Sequence, residues 1–107
     1  MFDKRGALLY NIGISITEYN TMSSLKYAKK HYGVVRQPNG SYLTSNLIVI
    51  WYNDKGEEHR EDGPAVAYTD GAIISWKLYD KVYDFSDWIK LTPIPDEQKL
   101  LLRLQYE

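Results

Sequence analysis

Residues 59–76 read HREDGPAVAYTDGAIISW and hold two Asp-Gly pairs, with apolar and small residues between and after them. Asn-Gly and Asp-Gly tolerate positive φ at both centres of a type I′ turn, whose twist matches that of a β-hairpin. Taking Asp70-Gly71 as a two-residue loop fixes a register. Thr69 then faces Ala72, Tyr68 faces Ile73, Ala67 faces Ile74, Val66 faces Ser75 and Ala65 faces Trp76. One face of this hairpin would carry Ala65, Ala67, Ile74, Trp76 and Leu78, small residues opposite large ones, as an interlocking core layer requires. The other would carry Val66, Tyr68, Ile73, Ser75, Lys77 and Tyr79. It is too apolar for open water, so a helix of this chain or a partner must cover it.

Working outward, turn signals recur at PNGS (38–41), NDKG (53–56), EDGP (61–64) and TDGA (69–72). NDKG fits a longer loop that closes on a left-handed glycine. The segments between them, LIVIWY, AVAY, IISWKLY and KVYDF, are rich in β-branched and aromatic residues. An antiparallel meander of five or six strands follows over 34–84. Before it, residues 6–17 are β-prone and TMSSLKYAKKHYG predicts a helix over 21–32. Its apolar stripe would be Met22, Leu25, Ala28 and Tyr32, its cap Asn20 or Thr21, and its left-handed terminator Gly33. After the meander, Asp84 or Ser86 can cap a short helix carrying Trp88 and Ile89. Thr92-Pro93-Ile94-Pro95 ends that helix. Pro95 suits the first position of a last helix that runs to about 105 and would dock through Leu100, Leu101 and Leu104. The expected fold is therefore α+β. It is one domain in three parts: a strand and helix over 1–33, the meander over 34–84 and a helical cap over 85–107.

Composition narrows the function classes. A chain of 107 residues without cysteine has neither a disulfide framework nor a thiolate metal site. His31 and His59 alone cannot make a His-rich metal site, and no cofactor is expected. No segment approaches the roughly 20 apolar residues that span a bilayer. The start MFDKRGALLYNIGISI lacks a small-residue cleavage pattern, so no signal peptide and a cytoplasmic location are expected. Charge is uneven: residues 1–42 hold six Lys/Arg against two Asp/Glu, and residues 43–107 hold seven against twelve. The two ends can attract different partners, or the fold can mix both signs into one surface.

The 24-residue echo between YNDKGEEH (52–59) and WKLYDKVY (76–83) suggests repeated hairpins. His59, Arg60, Asp62, Gly63, Pro64, Ala65, Tyr68, Asp70, Gly71 and Trp76 together resemble a repeat of small proteins from tailed bacteriophages and some bacteria. That repeat is similar to the hairpins of membrane-occupation-and-recognition-nexus (MORN) proteins. The match covers roughly residues 49–90, and YDFSDW followed by DEQKLLLRLQYE resembles the ending of such phage proteins. Tyr79-Asp80 stands where the family has Asn-Gly, so the second copy's turn is expected to shift register by one residue. One full and one partial unit are fewer than the roughly three that a solenoid needs, so the terminal helices should act as caps. The resemblance implies fold and source and carries no catalytic residues. It implies a phage protein that binds and inhibits or modulates a host protein, such as a nucleic-acid-handling defence complex, in an anti-defence role like that of anti-CRISPR proteins.

Catalysis is the weakest class. His59 beside Glu58, Glu61 and Asp62 is the one acid–base constellation, with no nucleophile elbow, phosphate loop or metal-ligand spacing. Protein binding would use the carboxylates Asp54, Glu57, Glu58, Glu61 and Asp62, with Tyr68 and Tyr79 as aromatic anchors. Nucleic-acid binding is an alternative through Lys26, Lys29, Lys30 and Arg36, interleaved with Tyr27, His31 and Tyr32. A sponge for a signalling nucleotide is a third.

Overall fold

A computed structural model describes residues 22–107. The expected strand over 6–17 and the expected caps Asn20 and Thr21 lie outside the described residues. In chain order the elements are α1 (Ser24–His31), β1 (Val35–Arg36), β2 (Tyr42–Leu43), β3 (Ile48–Ile50), β4 (Val66–Tyr68), β5 (Ile73–Leu78), β6 (Lys81–Tyr83), α2 (Phe85–Leu91) and α3 (Asp96–Tyr106). The strands form one six-stranded antiparallel sheet in sequence order, so the α+β meander stands.

Four of its turns share one geometry, and it is not the type I′ loop. In 37–41, 44–48, 53–57 and 68–72, the fourth residue's N–H donates to the first residue's carbonyl. The first residue's N–H in turn donates to the fifth residue's carbonyl, every bond lying between 2.7 and 3.2 Å. Only the fourth residue is left-handed: Gly40 (φ 93°), Leu47 (60°), Gly56 (76°) and Gly71 (95°). This is a type I turn closed by a glycine bulge. Pro38, with its φ confined near −65°, could not occupy a type I′ centre. Leu47 is the outlier, 60% exposed and in a conformation that costs a non-glycine residue about 1–2 kcal/mol. Leu47→Gly should raise stability by about 0.5–1 kcal/mol in urea unfolding, after allowing for glycine's larger unfolded-state entropy.

The extra loop residue changes the register read from the sequence. Tyr68 meets Ala72, not Ile73, and Ala67 meets Ile73, not Ile74; a bulge between Val66 and Ala67 then restores Val66 to Ser75. The two isoleucines consequently exchange faces. Ile73 packs with Trp76 and Leu78, while Ile74 joins Ile48, Ile50 and Val66 on the opposite face. EDGP is no hairpin turn either, because Gly63 is not left-handed and lies in an irregular link between β3 and β4.

The main core lies on the Trp76 face. Trp76, Leu78, Trp88 and Ile89 are buried there, with Ile73, Tyr83, Phe85, Leu102 and Tyr106 packed around them. Helix α3 therefore docks through Leu102 and Tyr106, and the expected stripe of Leu100, Leu101 and Leu104 is 57–74% exposed. Leucines occupy all sides of that helix, so spacing alone could not choose the stripe. Pro95 sits one position before its first turn, as the N-cap. In α2 the Asp84 side chain caps the Asp87 amide. That bond, then the one from Ser86, holds the Asp84 carboxyl below the ordinary aspartate value of 3.8. The cap's stabilisation is thus complete above that range and fades only as pH falls through the lowered pKa. A carbon-detected NMR titration of Asp84 should place its midpoint below the usual range.

Helix α1 starts later than its periodicity predicted, with Ser23 as cap and Gly33 left-handed beyond its end. Its buried face is Ser24, Tyr27 and Ala28, whereas Tyr32 is 47% exposed and Met22 and Leu25 are half-buried. The reason is tertiary. Leu25 N–H donates to the Gly56 carbonyl, and Ser24 Oγ donates to Asp80, which turns the Ser24 side inward.

Candidate functional site

The quoted stretch positions a groove at one end of the sheet. Past β3, Trp51 and Tyr52 run into the 53–57 turn, and the chain returns beside them, with His59 N–H donating to the Trp51 carbonyl. The same segment pairs on its other side with the next hairpin: Arg60 N–H donates to Lys77 and Asp80 N–H to Glu58. The two 24-residue copies are therefore neighbours in space. Their registers differ by one. Tyr52 lies opposite Glu58, whereas its counterpart Trp76 lies opposite Tyr83, the counterpart of His59. A two-residue Tyr79-Asp80 turn in place of a three-residue glycine loop accounts for the difference.

Helix α2 staples the irregular link that follows. Trp88 Nε1 donates to the Arg60 carbonyl at 3.2 Å, and the buried Thr92 hydroxyl donates to the Glu61 carbonyl. The Arg60 guanidinium lies 4.5 Å from the Trp51 ring centre. It donates from Nε to Asp62 at 2.9 Å and from a terminal nitrogen to the Pro64 carbonyl at 3.3 Å. Gly63 makes room for it, since a Cβ there would sit 2.7 Å from the guanidinium carbon. Close approach, not backbone freedom, is what this glycine supplies. Gly63→Ala should keep the fold, displace Arg60 from Trp51 and cost about 1 kcal/mol, the scale of an exposed cation–π contact. Altered indole shifts of Trp51 in NMR would report the displacement.

His59 has both nitrogens engaged. Nδ1 accepts the Tyr79 N–H at 3.0 Å and Nε2 faces Glu61 at 3.2 Å, so the ring proton belongs on Nε2. Its ring also packs on Tyr79, centroids 4.4 Å apart. Both ring nitrogens are thus occupied by contacts within the chain.

The resulting groove has a volume of about 630 Å³. Trp51 and Arg60, the Pro93, Ile94 and Pro95 run, and the carboxylates of Asp54, Glu61 and Asp62 line it. Of the carboxylates singled out in the sequence, these three come together. Glu57 is half-buried and accepts from Asn53, and Glu58 forms a part-buried 3.0 Å ion pair with Lys77. Tyr79, 62% exposed, stands beside His59, whereas exposed Tyr68 lies at the far end of β4, opposite Ile48. Trp51 and the 93–95 wall escaped the sequence reading, although an indole next to a turn and a Pro-Ile-Pro run were the available signals.

Of the basic set, Lys26, Lys29 and Lys30 lie exposed on α1, and Arg36 lies exposed on β1, the outermost strand among the described residues. Lys29 sits over the Tyr42 ring, and Lys26 and Lys29 share a shallow pocket with Asp54. The charge asymmetry of the sequence is thus partly folded against itself. Among the described residues, no cluster of three or more His, Asp or Glu could hold a metal ion, and no helix is long and apolar enough to cross a membrane.

No family model, curated protein or solved structure matches the chain.

Proposed function

We propose that this chain is a non-enzymatic binding protein whose groove takes a basic segment of a partner protein. One observation carries the reading: three carboxylates, Asp54, Glu61 and Asp62, line a groove with a single guanidinium, beside a half-buried indole. A lysine or arginine of the partner would find carboxylates at the rim and the Trp51 face or the Pro93–Pro95 wall for its alkyl stem. Resemblance to small phage proteins supports the further reading that the partner is a host protein, inhibited or modulated in the host cytoplasm. A nucleic-acid-handling defence complex, with its basic surfaces, is the partner class that fits this charge.

The geometry also selects the variant that tests the reading. Reversing Glu57 or Glu58 would break the bond to Asn53 or the pair with Lys77 and would confuse misfolding with lost binding. Asp54, Glu61 and Asp62 are all exposed, and the contacts of Glu61 with His59 and of Asp62 with Arg60 are surface ones worth about 1 kcal/mol or less each. Their joint replacement by lysine should leave the thermal transition in place and weaken partner capture from host lysate about tenfold or more. Undiminished capture by the triple variant would overturn the proposal.

A second reading, nucleic-acid binding by Lys26, Lys29, Lys30 and Arg36, is favoured by the exposure of all four. It requires salt-dependent binding that is lost when the three lysines are neutralised.

A further inference from the structure

We propose that Asn39 is a latent modification site, whose spontaneous deamidation is gated by the β1–β2 turn and whose product shifts that turn against the indole of the groove. Asn39-Gly40 is the one Asn-Gly pair in the chain. Glycine leaves the nitrogen after Asn39 unshielded by a side chain, so it can reach the asparagine side-chain carbon. Asp62-Gly63 and Asp70-Gly71 carry carboxylates instead, poorer electrophiles with no ammonia to lose. Asn39 is exposed in the turn 37–41, where water reaches it.

The reaction uses only base and water. A base removes the Gly40 N–H proton, the nitrogen bonds to Asn39 Cγ, and the Cγ–Nδ2 bond breaks to release ammonia. Water then opens the succinimide ring. Attack at Cγ gives aspartate. Attack at the backbone carbonyl carbon gives isoaspartate, which routes the main chain through Cβ and lengthens it by one carbon.

The turn supplies one half of this chemistry and withholds the other. Asn39 Oδ1 accepts the Ser41 N–H at 3.0 Å and lies 2.6 Å from the Ser41 hydroxyl, so donors already face the oxygen on which charge develops. Ser41 is 0% exposed, and its hydroxyl also meets Gln37 Oε1 at 2.9 Å, so these groups are fixed in place. The nucleophile is held back, because the Gly40 N–H donates to the Gln37 carbonyl at 3.0 Å. Pro38, its φ preset for the first centre of a type I turn, keeps that bond formed. Deamidation therefore waits for the turn to open, and its rate follows the open fraction. Gly40 also sits against the groove, since a Cβ there would lie 3.8 Å from the Trp51 ring. A main chain one carbon longer at residue 39 cannot keep the 2.7 Å bond from the Gln37 N–H to the Ser41 carbonyl, and it displaces Gly40 on that indole.

The test follows the full-length chain in mildly alkaline buffer, folded and unfolded by guanidinium chloride, with peptide mapping for aspartate and isoaspartate at residue 39. The folded chain should react about tenfold or more slowly than the unfolded chain, the protection of a turn open less than about a tenth of the time. Pro38→Ala, at an exposed residue, should leave the unfolded rate unchanged and raise the folded rate about two- to fivefold, as expected for losing the proline's restriction of the open chain. Refolded chain that carries isoaspartate should show a displaced Trp51 indole N–H signal in NMR. Equal rates in the folded and unfolded chain, or a folded Pro38→Ala that reacts no faster than the parent, would overturn the gate. An unmoved Trp51 signal in the isoaspartate-bearing chain would overturn its reach into the groove. If Pro38→Ala does not fold, the folded and unfolded rates of the parent decide alone.

Discussion

Trp88→Ala is expected to lower the free energy of unfolding by about 4 kcal/mol, the range for truncating a fully buried tryptophan. Trp88 is 0% exposed and central to the main core, its ring 4.6 Å from Trp76 and 6.2 Å from Phe85. Removing it opens a void between α2 and β5 and also leaves the Arg60 carbonyl without its indole donor. Domains of this size are stable by roughly 5–15 kcal/mol, so the variant should be marginal, and urea unfolding followed by circular dichroism would measure the loss. Trp88→Phe separates the two contributions. It retains most of the packing and forfeits the N–H, at about 1–2 kcal/mol. That milder variant should also disturb the groove, because the carbonyl it frees belongs to the residue that lies over Trp51. A loss below about 1 kcal/mol for Trp88→Ala would mean that the helices do not depend on this side chain for packing on β5.

How far the sequence could be read depended on whether the deciding interaction was local. The sheet was legible because its turns are spelled by glycine: Gly40, Gly56 and Gly71 mark three reversals, and β-branched runs fill the intervals. Thr44–Leu47 was missed, since its left-handed residue is a leucine and its signal is only Thr44 bonding to the amides beyond it. Faces were harder than strands. Ile73-Ile74 presents two equivalent residues, and one extra loop residue decides which of them reaches Trp76. Helix α3 poses the same ambiguity with its leucines, which Trp76 resolves through its 5.1 Å contact with Tyr106. As for the candidate site, a run of carboxylates was visible in the sequence, but their partners lie far along the chain. Lys77 removes Glu58 from the exposed set, and Arg60 over Trp51 defines the groove. Gly63 was read as a turn glycine because close packing against a side chain leaves no local signature.

Substitutions of Asp80 should rank in an order that no simple conservation of size or charge predicts. Asp80 is left-handed (φ 67°) in the tight Tyr79-Asp80 turn. Its Oδ1 accepts the Glu58 N–H at 2.6 Å and the Ser24 hydroxyl at 2.8 Å, and its own N–H donates to the Glu58 carbonyl. One carboxylate therefore joins α1, the returning arm of the first hairpin and the turn of the second. Asp80→Ala removes two hydrogen bonds to a carboxylate and keeps a Cβ in the left-handed region, so a loss of about 3 kcal/mol is expected. Asp80→Gly removes the same bonds but relieves the backbone, and should be about 1 kcal/mol milder. Asp80→Asn keeps an oxygen that can accept and a residue type that tolerates positive φ, so about 1 kcal/mol or less is expected. Chemical denaturation of the three variants gives the ranking, and hydrogen exchange locates the damage. In Asp80→Ala the amides of residues 24–31 should lose protection before those of β5, because α1 is tied to the hairpins through Ser24 and Leu25. Equal stability of the alanine and glycine variants would show that the turn carries no backbone strain, and an unchanged α1 would show that Asp80 does not hold it.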